Sequence, residues 1–230
     1  MSTKYFILTK SESDDNQIIV LNKSQTHILP QTNLNYYTIN GLFEESLIDW
    51  TKQFGNKTKL FLDIGAHSGT YSISLAKYFR AVHSFEPQRM TYYSLCGSIA
   101  LSNIENTFCH NFGLGSPEQS GTQTLKIVSK DGGGSSLHST TNILKTEEVE
   151  IKTLDSLNLQ NIGFIKMDIE GNELYALKGA TETLKRSNYP TILFESNVDN
   201  KELFSFIVSL GYDIVNISGY DNMFLATYVT

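Results

Sequence analysis

From Lys59 onward the chain alternates short apolar runs with longer segments whose apolar residues recur every three or four positions, and this alternation limits its fold more than any other feature. Leu60–Ile64, Ala81–Phe85, Thr107–Leu114, Phe164–Ile169, Thr191–Phe194, Asp213–Ile217 and Met223–Val229 read as strands. Thr70–Phe79 (with Tyr71, Leu75 and Tyr78 on one face), Thr91–Ser102, Glu173–Arg186 and Lys201–Leu210 read as helices. Strands joined by helical crossovers form a parallel sheet covered on both faces. The last two strands are separated only by Ser218–Asn222, too short for a crossover, so the final strand runs antiparallel to its neighbour. The predicted fold is an α/β doubly wound, Rossmann-like sheet, mostly parallel, with an antiparallel last strand. Met167 and the rows Leu174-Leu177 and Phe204-Ile207 are assigned to its core.

Two departures from the alternation stand out. Residues 1–56 form a small N-terminal extension ahead of a main domain at 57–230. In the extension, Tyr5–Leu8 and Ile18–Leu21 flank the polar turn Ser11–Asn16 as a hairpin, and Phe43, Leu47, Trp50 and Phe54 mark one face of a helix stopped by Gly55. The segment Gln31–Phe43, with Tyr36 and Tyr37, is expected to lie over a pocket. Further along, Thr122–Val128 and Glu148–Leu154 are β excursions around the glycine loop Asp131-Gly132-Gly133-Gly134.

Composition excludes several classes. Lys+Arg 18 against Asp+Glu 24 leaves a net charge of −6, with three arginines (Arg80, Arg89, Arg186) and scattered lysines. Nucleic-acid binding asks for a clustered basic surface, so a small-molecule or glycan partner is favoured over RNA. No apolar stretch approaches the ~20 residues of a membrane span. The start MSTKYFILTK lacks the charged-then-apolar layout of an export signal, and Cys96 and Cys109 have no metal-ligand or disulfide-framework spacing. These features point to a cytoplasmic protein; oligomeric state is not readable from them.

In doubly wound sheets ligands bind beyond the carboxyl ends of the strands, where strand order reverses. The first such end is Asp63-Ile64-Gly65-Ala66-His67-Ser68-Gly69. A GxGxxG dinucleotide fingerprint would need glycine where His67 stands, which disfavours NAD. An aspartate before a GxxxG turn suits instead the amino-acid end of S-adenosylmethionine: a carboxylate for its ammonium, helix N–H groups for its carboxylate. Glu86 follows Asp63 at close to the roughly 20-residue spacing expected of a carboxylate that accepts ribose hydroxyls. The run Phe164-Ile165-Lys166-Met167-Asp168-Ile169-Glu170 should neighbour the first strand, placing Asp168 and Glu170 where a methyl donor meets its acceptor. Carboxylates there serve as general base, metal ligands or cofactor clamp, and Glu195 is a further oxygen ligand if Mg²⁺ is used. His138, just past the glycine loop, is the histidine candidate for a base.

Together these segments, with Phe85-Glu86-Pro87, Gly133–Leu137 and Leu177-Lys178-Gly179-Ala180, resemble the FkbM-type family of S-adenosylmethionine-dependent methyltransferases over roughly residues 40–215. The resemblance implies a class I methyltransferase fold and O-methylation of a sugar, glycan or secondary-metabolite hydroxyl. It carries Asp63, Gly65, Ala66, His67 and Gly69 to the methionine end of the cofactor, Glu86 to the ribose, Asn111 and Phe112 to the adenine, and Asp168 to the cofactor's reacting end. His67 departs from the family, which more often has asparagine there. Three other readings stay open: a methyltransferase acting on RNA or protein, a non-catalytic module retaining a nucleoside pocket, and a nucleotide-sugar or NAD enzyme.

Overall fold

The computed structural model describes residues 6–9, 18–21, 25–29, 36 and 39–229. Seven strands form the central sheet: β4 (Leu60–Ile64), β5 (Ala81–Phe85), β6 (Thr107–His110), β10 (Ile162–Met167), β11 (Thr191–Glu195), β12 (Tyr212–Asn216) and β13 (Met223–Tyr228). Their order is β12-β13-β11-β10-β4-β5-β6. The pairs β11–β10, β10–β4, β4–β5 and β5–β6 are parallel, and β13 runs antiparallel to both β11 and β12. The last strand is antiparallel as its short connection requires, and it is inserted between two neighbours rather than added at the edge. Strand order reverses between β4 and β10, which opens the crevice at their carboxyl ends.

Side chains alternate across the sheet, as strand geometry demands. Leu60, Leu62, Ile64, Ile165 and Met167 pack on one face against α4 (Glu173–Lys178), α5 (Thr181–Arg186) and α6 (Lys201–Ser209) through Leu177, Leu184, Leu203 and Ile207. Phe61 and Phe164 turn to the other face, against α1 (Glu45–Thr51) and α2 (Thr70–Leu75), where Phe54 stacks on Phe164 with ring centroids 4.9 Å apart. Asp63 and Lys166 share that second face, and the register sets Lys166 beside Asp63 and Asp63 beside Ser84. The sheet thereby places a buried carboxylate next to a buried ammonium beneath α2.

Four boundaries differ from the sequence reading. Thr107–Leu114 is two strands: after His110 the chain leaves the main sheet at Asn111-Phe112, and β7 (Gly113–Leu114) joins β9 (Lys145–Lys152), which also pairs with β8 (Gly121–Ile127). Glu173–Arg186 is two short helices, because a Cβ at Gly179 would meet the Gly115 carbonyl oxygen at 2.1 Å and the backbone is held there. The 70–79 helix ends at Leu75 in a single 3₁₀ turn over Ala76–Tyr78. Phe43 precedes α1 instead of sharing its face: Glu44 takes a left-handed conformation at φ 56°, and Phe43 is left exposed.

At the N-terminus, β1 (Phe6–Thr9) and β2 (Ile18–Leu21) pair antiparallel, and β3 (Thr26–Leu29), which periodicity missed, adds to β2. The expected turn Ser11–Asn16 and residue Tyr37 lie outside the described residues. β3 sits on α3 (Arg89–Leu101), where Ser98 and Ser102 hydroxyls accept the Ile28 and Thr26 N–H groups at 2.8 Å.

Candidate active site

The carboxyl ends of β4, β5 and β10 surround a cavity of about 560 Å³. Its floor is the turn after β4. Gly65 and Ala66 both donate their N–H to the Phe85 carbonyl at 3.0 Å, pinning the turn to the next strand. Gly65 adopts φ +79°, and a Cβ there would lie 1.8 Å from the Asp168 carbonyl oxygen. Only glycine fits, both for its backbone angle and for the close approach of β10. Gly69, at φ +90°, starts α2.

His67 does more than fill the turn. Its N–H donates to Glu86 Oε2 at 2.9 Å, and its ring Nε2 lies 2.8 Å from the Asp131 carbonyl oxygen. A carbonyl can only accept, so the ring carries its proton on Nε2. Burial lowers its pKa, which favours the neutral ring. His67 thus ties the glycine loop down over the cavity, whose walls there are Asp131–Ser135. Ser135 Oγ adds a bond to Gln88 Oε1 at 3.1 Å, and Ser136 Oγ one to the Glu170 carbonyl at 2.7 Å.

Glu86 lines the cavity with its carboxylate held by the N–H groups of His67 and Gln88, the latter at 2.8 Å; burial pushes it up to about 7. Asp63 does not line it. Its carboxylate is fully buried, accepts the Ser72 hydroxyl, and is raised by that burial against the opposing pull of Lys166. It acts as a strut between β4 and α2. Asn111 and Phe112 also stand off the lining: Asn111 Nδ2 donates to the carbonyls of Glu86 and Pro87 at 3.0 and 3.1 Å, and the Phe112 ring lies 4.4 Å under the Lys152 ammonium. Gly113 and Leu114 take their place in the wall.

The opposite end is ionic. Lys166, almost fully buried, donates to Asp168 Oδ2 at 3.1 Å and lies 5.1 Å over the Tyr71 ring. Burial would discharge this ammonium, but Asp168, Asp63 and Glu44 hold its pKa above the usual lysine value. Burial likewise opposes ionisation of Asp168, yet Lys166 and a hydrogen bond from Glu195 keep it below the usual carboxylate range. Glu195, half-buried beside that charge, is pushed up to about 8, so the two carboxyls share one proton. Glu170, at φ 54°, lines the cavity with its carboxyl raised by partial desolvation and by the charge of Asp168. Tyr71 OH donates to Glu44 Oε2 at 2.8 Å. Glu44, Tyr71 and Lys166 were missed as site residues. Their one sequence signal is Lys166 itself, a lysine inside an apolar buried strand.

His138 does not face the cavity. Its Nε2 lies 2.9 Å from Asn172 Oδ1 and its ring stacks 5.5 Å from Tyr175, so it braces α4. Asp168, Glu170 and Glu195 each offer an oxygen within 4.8 Å of the others. Lys166 and the shared proton already supply positive charge to this group, and the set fits them better than it fits Mg²⁺.

A family model for the methyltransferase FkbM domain matches residues 63–214. The chain belongs to the FkbM methyltransferase family. The fold is shared with a methyltransferase FkbM from Methylobacillus flagellatus KT at 21% identity and a TM-score of 0.53, over 74% of this chain and 44% of that one. This chain therefore spans less than half of that relative's length. A precorrin-6y C5,15-methyltransferase from Geobacter metallireducens GS-15 superposes with a TM-score of 0.52 at 12% identity, over 82% of this chain and 90% of that one. At these identities the likeness is one of fold, a class I methyltransferase sheet. No curated protein matches this FkbM chain by sequence. Among the described residues, no helix is long and apolar enough to cross a membrane.

Proposed function

We propose that this FkbM domain is an S-adenosylmethionine-dependent methyltransferase that methylates a hydroxyl of a sugar, glycan or secondary metabolite. The observation that carries the reading is the meeting, in one cavity, of the pinned Gly65–His67 turn, the N–H-held Glu86 carboxylate and the Lys166–Asp168–Glu195 cluster. The turn and Glu86 fit the two polar ends of the cofactor, Gly65–His67 taking the amino-acid end and Glu86 the ribose hydroxyls. Gly113, Leu114 and Gly132–Ser135 would enclose the base. When bound, the cofactor supplies a methyl group already activated on a sulfonium.

The chain's own residues then have two tasks, positioning and proton removal. Tyr36, Phe43 and Tyr71 form an aromatic wall against which a sugar ring can lie. Glu170, whose carboxyl is raised where that of Asp168 is lowered, is the stronger proton acceptor of the two for the acceptor hydroxyl. Asp168, held low by Lys166 and Glu195, anchors the reacting end. No step is assigned to Mg²⁺, nor to His138. Residues 57–230 are read as the cofactor-binding domain, with residues 1–56 contributing Tyr36, Phe43 and Glu44 to the acceptor side. A cytoplasmic location is part of this reading.

Calorimetric titration of the chain with S-adenosylhomocysteine, beside NAD and a Glu86→Ala control, tests the cofactor assignment. Micromolar binding that the variant loses supports it and licenses a screen of glycans and metabolites for methyl acceptance. A folded protein that ignores S-adenosylhomocysteine refutes it.

A further inference from the structure

A second cleft of about 390 Å³ lies at the amino-terminal ends of the same central strands. The five residues of β4 separate it from the cavity above by roughly 17 Å, at ~3.3 Å per residue. Lys59, Arg80 and Arg186 line it, two of the three arginines in a chain whose net charge is −6. No carboxylate is among its lining residues, and none of the three cations forms an ion pair with a described residue. The local charge is therefore opposite to that of the whole molecule.

Two contacts hold cations of the cleft in place. The Lys59 stem is seated on Gly163 of β10: a Cβ there would stand 2.9 Å from Lys59 Cβ and 3.0 Å from its Cδ, so any larger residue displaces the lysine. Arg186 Nη2 is steadied by Thr183 Oγ1 at 2.9 Å, and the side chains of Asn161 and Asn188 add amide groups to the rim. Two guanidinium forks and an ammonium form a donor set for tetrahedral oxyanions.

The geometry points to a binding site for a small, multiply charged phosphate anion of the diphosphate class, separate from the methyl-transfer cavity. The isolation of the three cations on an acidic chain favours such an anion over a nucleic-acid backbone, which calls for an extended basic track.

The test is calorimetric titration of the full chain with sodium pyrophosphate, at low and at physiological salt, with orthophosphate in parallel. Pyrophosphate should bind more tightly than orthophosphate, and the Arg80→Gln/Arg186→Gln double variant should weaken it by about 100-fold, some tenfold per charge-assisted contact. Gly163→Ala should weaken it through Lys59. Binding that is equal in wild type and double variant, or that saturating S-adenosylhomocysteine displaces, overturns the assignment. So does an RNA oligonucleotide that occupies the cleft more tightly than pyrophosphate.

Discussion

Replacing Gly65 by alanine isolates the contact that defines the cofactor turn. An L-residue at φ +79° costs roughly 1–2 kcal/mol in backbone conformation. The new methyl would sit 1.8 Å from the Asp168 carbonyl oxygen, where ordinary contact begins near 3.4 Å. The overlap lies against backbone, so no side-chain rotation relieves it; the turn must lift away from β10. That movement breaks the two 3.0 Å bonds from Gly65 and Ala66 to Phe85, at about 1 kcal/mol each. The sum is about 3–4 kcal/mol, or roughly 6–16 °C in Tm for a chain of this size. Displacing the turn by more than an ångström should also cost about 100-fold in cofactor affinity. Thermal unfolding and S-adenosylhomocysteine titration of the variant measure both. A Gly65→Ala protein with wild-type Tm and affinity would show that the turn does not press on β10 and would refute this account of the site.

The Glu86 carboxyl, pushed up from 4.5 to about 7, keeps its proton in the folded chain over a range where the unfolded chain has lost it. Its contribution to stability is complete below pH 4.5 and is lost as pH rises through 7, while affinity for S-adenosylhomocysteine rises about tenfold between pH 6 and 8 as the carboxylate forms. Glu86→Gln should flatten both trends in denaturant melts and titrations; unchanged slopes would remove Glu86 from the ribose site. His67→Asn keeps the left-handed backbone and the N–H to Glu86 but loses the reach to Asp131. It should speed proteolysis of the 131–137 loop and weaken cofactor binding by about fivefold, a loss of about 1 kcal/mol; a loop no more sensitive than wild type would show that His67 does not hold it. Tyr71→Phe frees Glu44 on the acceptor side. It should lower kcat/KM by about tenfold with S-adenosylhomocysteine affinity within about twofold, and an equal loss of both would mean simple disruption of α2.

The periodicity of the chain was enough to determine a mostly parallel, helix-covered sheet, because short apolar strands alternating with amphipathic helices bury their faces most economically that way. The antiparallel last strand was legible from a connection too short to cross over. Gly65, Glu86 and Asp168 were legible because turn geometry and strand-end position are local properties. The insertion of β13 between β11 and β12, and the departure of Gly113-Leu114 to a second sheet, depend on pairings between distant residues that no local pattern encodes.

The site divides the same way. Asp63 reads as a ligand contact from its place before the turn, yet the side-chain alternation of β4 points it under α2, where Ser72 and the neighbouring Lys166 hold it. Asn111, Phe112 and His138 are near the cavity in sequence and turned from it in space. Glu44, Tyr71, Lys166 and Glu195 come from four separate elements, and only their convergence on Asp168 makes them a group. Sequence determined which chemistry the strand ends could offer; tertiary structure decided which side chains face the cavity, because facing is set by strand register and long-range burial rather than by spacing along the chain.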